Sequence, residues 1–400
     1  MRILQLCKKF PYPSKDGESV AVLSMSKGYV ENGCQVRLLA MNTSKHFVHI
    51  QGVPEALSHY DSVHSIFHDT SINYIHAFLN IFQSKSFNIQ RFVSDRFKLK
   101  LKSLLQNNEI DVVQLESLYM APYINTIRES SNALIVLRSH NIEYEIWNDL
   151  AKVTRNPLKK WYYNISAKRL RSYELKQFDQ YDTLIPISET DYNKYQTLNY
   201  NGSYCVSPVG LNTKNYQSSS LLISNPIKLG YIGSLDWKPN IEGINWFFNN
   251  SWFKIHGNFP NIEFHLAGRN ASQNLKKAIP EAVQFHGEVE NAINFLKKLD
   301  IVIVPLFSGS GIRVKILESM AMRKIVLSTK KGFEGIGIEH GKNAFIFESS
   351  DDIIKAIELC IENPERFESI QSQAQEFVQQ RFDHKVLAEK VINHFKIMIK

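Results

Sequence analysis

Four hundred residues, 44% of them apolar, are enough for a sizeable core and suggest two domains, and no low-complexity or disordered class is in view. A net charge of +8 invites anionic partners such as nucleotides, lipid headgroups or nucleic acid. Cys7, Cys34, Cys205 and Cys360 are far apart with no Cys-x-x-Cys, which argues against a disulfide framework or a zinc site, and no apolar run is long enough to cross a bilayer.

Residues 3–7 read as a first strand, since the N-terminal apolar segment is too short for a secretory signal; the expected compartment is the cytoplasm. A Pro-rich turn through Gly17, a helix over 19–32 stopped by Gly33, and a strand over 35–41 follow. This is a β-loop-α-β unit that opens a doubly wound sheet, without the G-x-G-x-x-G of a nicotinamide fold. From its neighbours alone, Gly17 reads as a plain turn glycine.

The alternation breaks down from His46 to about Lys102. Six histidines fall here (His46, His49, His59, His64, His68 and His76); none has metal-ligand spacing, and they read as surface and loop residues. Phe78, Phe82, Phe87, Phe92 and Phe97 interleave with Lys85, Arg91, Arg96, Lys98, Lys100 and Lys102. Such a helix fits an anionic membrane surface, or a core with a solvated basic face.

A strand over 111–115, a helix over 118–129 and a strand over 134–137 restore the pattern. The last ends in Arg138-Ser139-His140-Asn141-Ile142-Glu143-Tyr144, polar groups at the carboxyl end of a parallel strand, where open α/β sheets bind ligands. Residues 152–176 form a helical arm with eight cations against Glu174, interleaved with Trp161, Tyr162, Tyr163 and Tyr173. The arm suits lipid headgroups or a diphosphate-linked acceptor; no motif for nucleic acid accompanies the charge. After a strand over 183–187, Ser188 and Asp191 cap the next helix.

The plan restarts after a Ser-rich linker: strands over 228–232, 261–267, 283–285 and 301–305, with a helix from Ile241 and a tail of helices over 350–400. Residues 305–321 carry most chemistry. A buried strand meets a glycine turn at Gly309 and Gly311, and a helix follows from Ile312. Its amides and dipole suit a phosphate. Arg313 and Lys315 stand at the end where the dipole disfavours cations, which suggests an anion between them.

Together with residues 324–329 and 332–335, this stretch resembles the donor-site signature of family 4 (group 1) glycosyltransferases, in the bacterial branch that assembles surface polysaccharides: G-x-G-x-R-x-K-x-x-E-x-M-A. The resemblance implies the α/β GT-B fold, two Rossmann-like αβα domains facing each other across a cleft. It implies an acceptor domain at 1–215, a linker at 216–226, a donor domain at 227–382, and a helix at 383–400 that packs back on the first domain. It gives Glu318 the ribose hydroxyls of a nucleotide sugar, and Gly309, Gly311 and Ile312 the diphosphate and sugar. Arg313 and Lys315 then stabilise the leaving group with Lys238 in support, Arg269 joins the donor set, and His140 and Gly17 approach the donor from the first domain. Two departures stand out: Ser310 occupies the place of a second glutamate, and Ser234 and Pro239 replace a diphosphate-binding Arg and Lys. The implied reaction is retaining transfer to a glycan or lipid-linked acceptor, with no metal or other cofactor, at or near the inner membrane surface. The rivals are a non-catalytic sugar-nucleotide-binding subunit of a polysaccharide assembly complex and a nucleotide-sugar epimerase.

Overall fold

The structure, a computed structural model, describes residues 1–14, 16–49, 52, 54–71, 86–216, 224–309 and 311–399. They form two compact units, Met1–Gly210 with His384–Lys400, and Leu211–Asp383. Ser310, His76, Phe78, Phe82, Lys85 and the Ser218–Ser220 stretch of the expected linker lie outside the described residues.

Unit 1 is built on a parallel sheet ordered β3-β2-β1-β4-β5-β6-β7. Its strands are β1 (Arg2–Cys7), β2 (Gln35–Thr43), β3 (Ser62–His68), β4 (Val112–Leu115), β5 (Leu134–Ser139), β6 (Thr183–Pro186) and β7 (Ser203–Tyr204). The inner strands are short, β-branched and buried on both faces, as parallel strands under two helix layers must be. Helix α1 (Gly17–Glu31) starts where the Asp16 carboxylate accepts the Ser19 amide at 3.0 Å. Helix α2 (Asp95–Asn107) buries Phe97, Leu101, Leu104 and Leu105 and leaves Lys98 and Lys102 in solvent with Lys100 half-buried. The described part of the basic-aromatic stretch is therefore a one-turn helix, Phe87–Gln90, a turn, and the core-facing α2.

Three expectations need correction. The stretch from His46 to Lys102 contains strand β3, which pairs along β2 from Arg37–Ser62 to Thr43–His68. His64 and His68 thus lie in a half-buried edge strand, too polar to show a hydrophobic period. The helix expected over 118–129 begins as a 3-10 turn at Leu118–Tyr123, with Pro122 inside it, before Ile124–Ser130 becomes α-helical. The basic arm is two helices, α3 (Glu143–Val153) and α4 (Pro157–Lys176), broken where the Asn156 side chain caps α4 and Pro157 takes its first turn. Helix α5 (Glu189–Thr197) follows, with the Ser188 hydroxyl accepting the Asp191 amide at 3.0 Å.

Unit 2 repeats the architecture in a parallel sheet ordered β10-β9-β8-β11-β12-β13. Its strands are β8 (Ile227–Ile232), β9 (Ile262–Ala267), β10 (Val283–Gly287), β11 (Ile301–Val304), β12 (Ile325–Ser328) and β13 (Phe345–Ile346). Helix α6 (Lys238–Phe247) begins three residues earlier than the apolar spacing suggests, because Pro239 is accepted in a first turn. Helix α7 (Val314–Ala321) follows the glycine turn, and α8 (Ser350–Glu362) starts in a reciprocal Ser349–Asp352 capping box. Two apolar layers enclose this sheet, one around Trp252 and Phe264 and one around Leu317 and Met320.

Helix α9 (Pro364–Phe382) closes unit 2, and α10 (His384–Ile399) belongs to unit 1. Helix α10 crosses α1 at Gly28, where a Cβ would sit 2.3 Å from the His384 carbonyl oxygen. Ala388, Val391, Ile392 and Phe395 complete the core beneath Tyr29.

Candidate functional site

Both sheets reverse strand order beside their first strand, between β1 and β4 and between β8 and β11, and the crevice at the carboxyl ends there is where such folds bind ligands. In unit 2 the loops after β8 and β11 meet the start of α7. Gly309 and Gly311 take φ of 92° and 86°, and a Cβ on Gly309 would lie 2.9 Å from the Trp237 ring. A side chain at Gly309 is thus opposed by both backbone and space. Arg313 stands at the N-cap of α7 and makes no side-chain capping bond, so it leaves the first amides of the helix uncapped by its own side chain. Its guanidinium lies 5.8 Å from the Trp237 ring centroid and donates to the Gly311 carbonyl. Ile312 precedes the helix, which begins two residues later than its spacing suggests.

Lys315, in the first turn of α7, reaches back over β8. Its ammonium donates to the Tyr231 hydroxyl at 3.0 Å and the Ile232 carbonyl at 3.1 Å, and lies 4.1 Å from the Tyr231 ring centroid. Burial, reinforced by the Arg313 charge, pulls its pKa down to about 7. Burial lowers that of Arg313 as well. Two cations held with reduced proton affinity mark a place where an arriving anion gains most. One turn on, Glu318 is half-buried, and the desolvation raises its pKa, while its Oε1 accepts the Tyr216 hydroxyl at 3.1 Å. Arg269 donates to the Ser234 hydroxyl at 3.2 Å, which itself donates to Asp236 at 2.6 Å, so the loop after β8 is internally braced. Lys238 points into solvent 3.7 Å from Glu242. Gly309, Gly311, Ile312, Arg313, Lys315 and Glu318 thus share one loop-helix junction, with Arg269 on a neighbouring loop and Lys238 at the start of α6 in the same unit.

In unit 1, His140 follows β5 and is almost fully buried. Its Nε2 lies 2.9 Å from Glu116, whose carboxylate also meets Arg138 at 3.4 Å and the amides of Gln5 and Gln114 at 2.8 and 2.5 Å. Burial works to raise the Glu116 pKa, but Arg138 and His140 outweigh it and hold the group ionised. An ionised Glu116 accepts a hydrogen bond from Nε2–H, which fixes the ring and presents Nδ1 on its other edge. Lys8, after β1, lies 3.3 Å from Glu18 and 3.9 Å from Glu143. Gly17 is the first residue of α1, and a Cβ there would meet nothing within 4 Å, so only the backbone's exposure is special. The sequence reading did not single out Glu116, Lys8, Glu18, Tyr216 or Tyr231 as site residues. Gln5 and Gln114, two amides in otherwise apolar strands, were the available sign of a buried polar network.

Residues 226–363 match the family described as glycosyl transferases group 1. A relative named as an uncharacterized 44.6 kDa protein in the cps region of Klebsiella pneumoniae is 25% identical over 299 residues, 72% of this chain and 74% of that one. The chain is similar in structure to HepE of Anabaena in complex with UDP, with a TM-score of 0.67 at 15% identity over 99% of this chain and 100% of that one. A sucrose-phosphate synthase from Thermosynechococcus elongatus matches with a TM-score of 0.67 at 12% identity, over 100% of this chain and 99% of that one. At these identities the structural matches define the fold, which is GT-B. That family match lies within the second unit, and the structural matches give the full chain the fold shared by GT-B glycosyltransferases.

Proposed function

We propose that the protein transfers a sugar from a nucleoside-diphosphate sugar, with retention at the anomeric carbon, to a glycan or lipid-linked acceptor in surface polysaccharide assembly. The observation that carries this is the Lys315–Arg313 pair at the glycine turn and the start of α7, with Glu318 one turn beyond. When the sugar–oxygen bond breaks, charge collects on the leaving diphosphate, and groups already aimed at that charge lower the barrier. The turn amides, Arg313 and Lys315 have this role, and Arg269 and Lys238 add charge near the loop after β8. Lys315 holds two of the three hydrogen bonds an ammonium can donate, and a phosphate oxygen would draw a full proton onto it. Glu318, its carboxyl held by Tyr216, is placed to accept the ribose hydroxyls. His140, oriented by Glu116, and the Gly17 backbone serve the sugar and acceptor from unit 1. The scheme uses no metal or other cofactor. HepE, a structural relative, was crystallised with UDP and with UDP-glucose, which supports a nucleotide-sugar donor here. The cps-region relative supports a place in polysaccharide assembly, and the reading puts that step at the cytoplasmic face of the membrane.

The test is a panel of UDP-, GDP- and ADP-sugars scored for binding and for slow hydrolysis by mass spectrometry, with the Lys315→Ala variant beside the natural chain. Hydrolysis of one donor, lost in the variant, is the expected result. Binding with no turnover on any acceptor offered would favour a sugar-nucleotide-binding subunit, and no binding at all would end the anion-site reading.

A further inference from the structure

Helices α3 and α4 leave the carboxyl edge of the unit 1 sheet just after His140 and pack against each other as a hairpin. Their inner faces are accounted for: Ala151, Ser166, Ala167, Leu170 and Glu174 are buried, and Trp147 meets Tyr163 edge to face. The outer face is not apolar by accident of one residue. Ile146, Leu150 and Val153 follow one stripe of α3, exposed by 42%, 40% and 72%, and Leu158 and Trp161 continue it on α4 at 77% and 52%. Soluble surfaces scatter large apolar side chains singly, whereas a run of five exposed around one helix-helix turn marks a contact surface. Lys152, Arg155, Lys159 and Lys160 are interleaved with the stripe. Asp149, the acid within residues 146–161, is already engaged with Lys152 at 2.9 Å. Farther along α4, Lys168, Arg171 and Lys176 extend the positive face.

We infer that the tip of this hairpin seats in the headgroup layer of an anionic lipid bilayer. Charge decides the occupant. An apolar protein groove would strand four cations, whereas an anionic headgroup layer pairs with them while the acyl boundary receives Leu158, Val153 and Trp161. A tryptophan with cations at its sides is the composition that settles at a membrane–water boundary. Each cation near such a surface contributes roughly 1 kcal/mol. Among the described residues no helix is long and apolar enough to cross a membrane, so the hairpin lies on the surface rather than spanning it. A docked hairpin holds the His140 edge of unit 1 close to the lipid, within reach of an acceptor carried there. Lipid binding does not depend on the transfer reading, and donor binding in unit 2 is measured separately.

The experiment is flotation of the full chain with phosphatidylcholine vesicles, with and without phosphatidylglycerol, across a salt series. The chain should float with the anionic vesicles alone and leave them as salt rises. The double variant Leu158→Glu, Trp161→Glu should lose about tenfold or more in vesicle affinity. The triple variant Arg155→Gln, Lys159→Gln, Lys160→Gln should bind more weakly and with a flatter salt dependence. Unchanged thermal unfolding and nucleotide binding confirm that these surface variants are folded. A chain that stays in solution with anionic vesicles at low salt overturns the proposal, as does equal flotation with neutral vesicles or wild-type flotation of the double variant. Binding of an acidic polypeptide in place of vesicles would assign the hairpin to a protein partner instead.

Discussion

The two sheets share one topology, but their switch points are charged in opposite ways. Among the described residues beside the unit 1 switch point, the charges are answered from inside: Glu116 by Arg138 and His140, Lys8 by Glu18 and Glu143, and Lys9 by Asp16 at 2.7 Å. In unit 2 the largest electrostatic influence on Lys315 is another cation, Arg313, and burial already disfavours its charge. A neutralised pocket suits a neutral ligand with hydroxyl groups, and an under-neutralised one awaits an anion. On the proposed function, it is this charge balance rather than the topology that separates a sugar-facing crevice from a diphosphate-facing one.

The largest effect expected from breaking this contrast is on stability. Glu116→Gln leaves Arg138 buried without its carboxylate, and unfolding in urea should show a loss of about 3–5 kcal/mol. A loss within error would mean that the network is not what holds unit 1. In unit 2 the same kind of change should spare the fold and remove the chemistry. Lys315→Ala should lower turnover by about 10²–10³ without lowering Tm, since it removes a desolvated charge. A proton count sharpens this point. Lys315 has a pKa of about 7 in the free protein and a higher one beside a diphosphate, so donor binding takes up a proton above pH 7. Donor affinity should be level below pH 7 and fall by up to about tenfold per unit above it, and Lys315→Ala should flatten the profile. Calorimetry in buffers of different ionisation enthalpy reads the proton directly. The smallest effect concerns Glu174, whose pKa burial and the Glu143 charge push up to about 8. A carboxyl with a raised folded-state pKa stabilises below its unfolded value, and that contribution is lost as pH climbs through 8. Glu174→Gln should therefore match the natural chain in Tm at pH 5 and exceed it above pH 8.

The sequence disclosed what is local. Gly309, Gly311, Arg313, Lys315 and Glu318 lie within ten residues, so a strand, a turn and a helix at the right spacing were enough to place them at one helix start. Partners brought in from elsewhere were not visible: Tyr216 is 102 residues from Glu318, and Tyr231 is 84 from Lys315. Glu116 follows β4 as a lone acid, and its meaning comes from strands that become neighbours only in the folded sheet. Strand β3 was missed because an edge strand exposes one side and so tolerates His and Ser where an inner strand shows an apolar run. The α3–α4 break was legible in Asn156-Pro157, but the exposure of Leu158 and Trp161 was not, since helical spacing alone does not say which stripe faces solvent.

Helix α10 gives the order of synthesis a structural meaning. Unit 1 is discontinuous: its last layer is supplied by residues that leave the ribosome only after all of unit 2. At about 5–20 residues per second, the surface of α1 around Gly28 and Tyr29 waits some tens of seconds for Ala388, Val391 and Phe395. During that interval the nascent first unit displays an unfinished apolar face while the second, a continuous segment, is free to complete itself. The chain is born with its later half ready first, and its earlier half is sealed by its final helix.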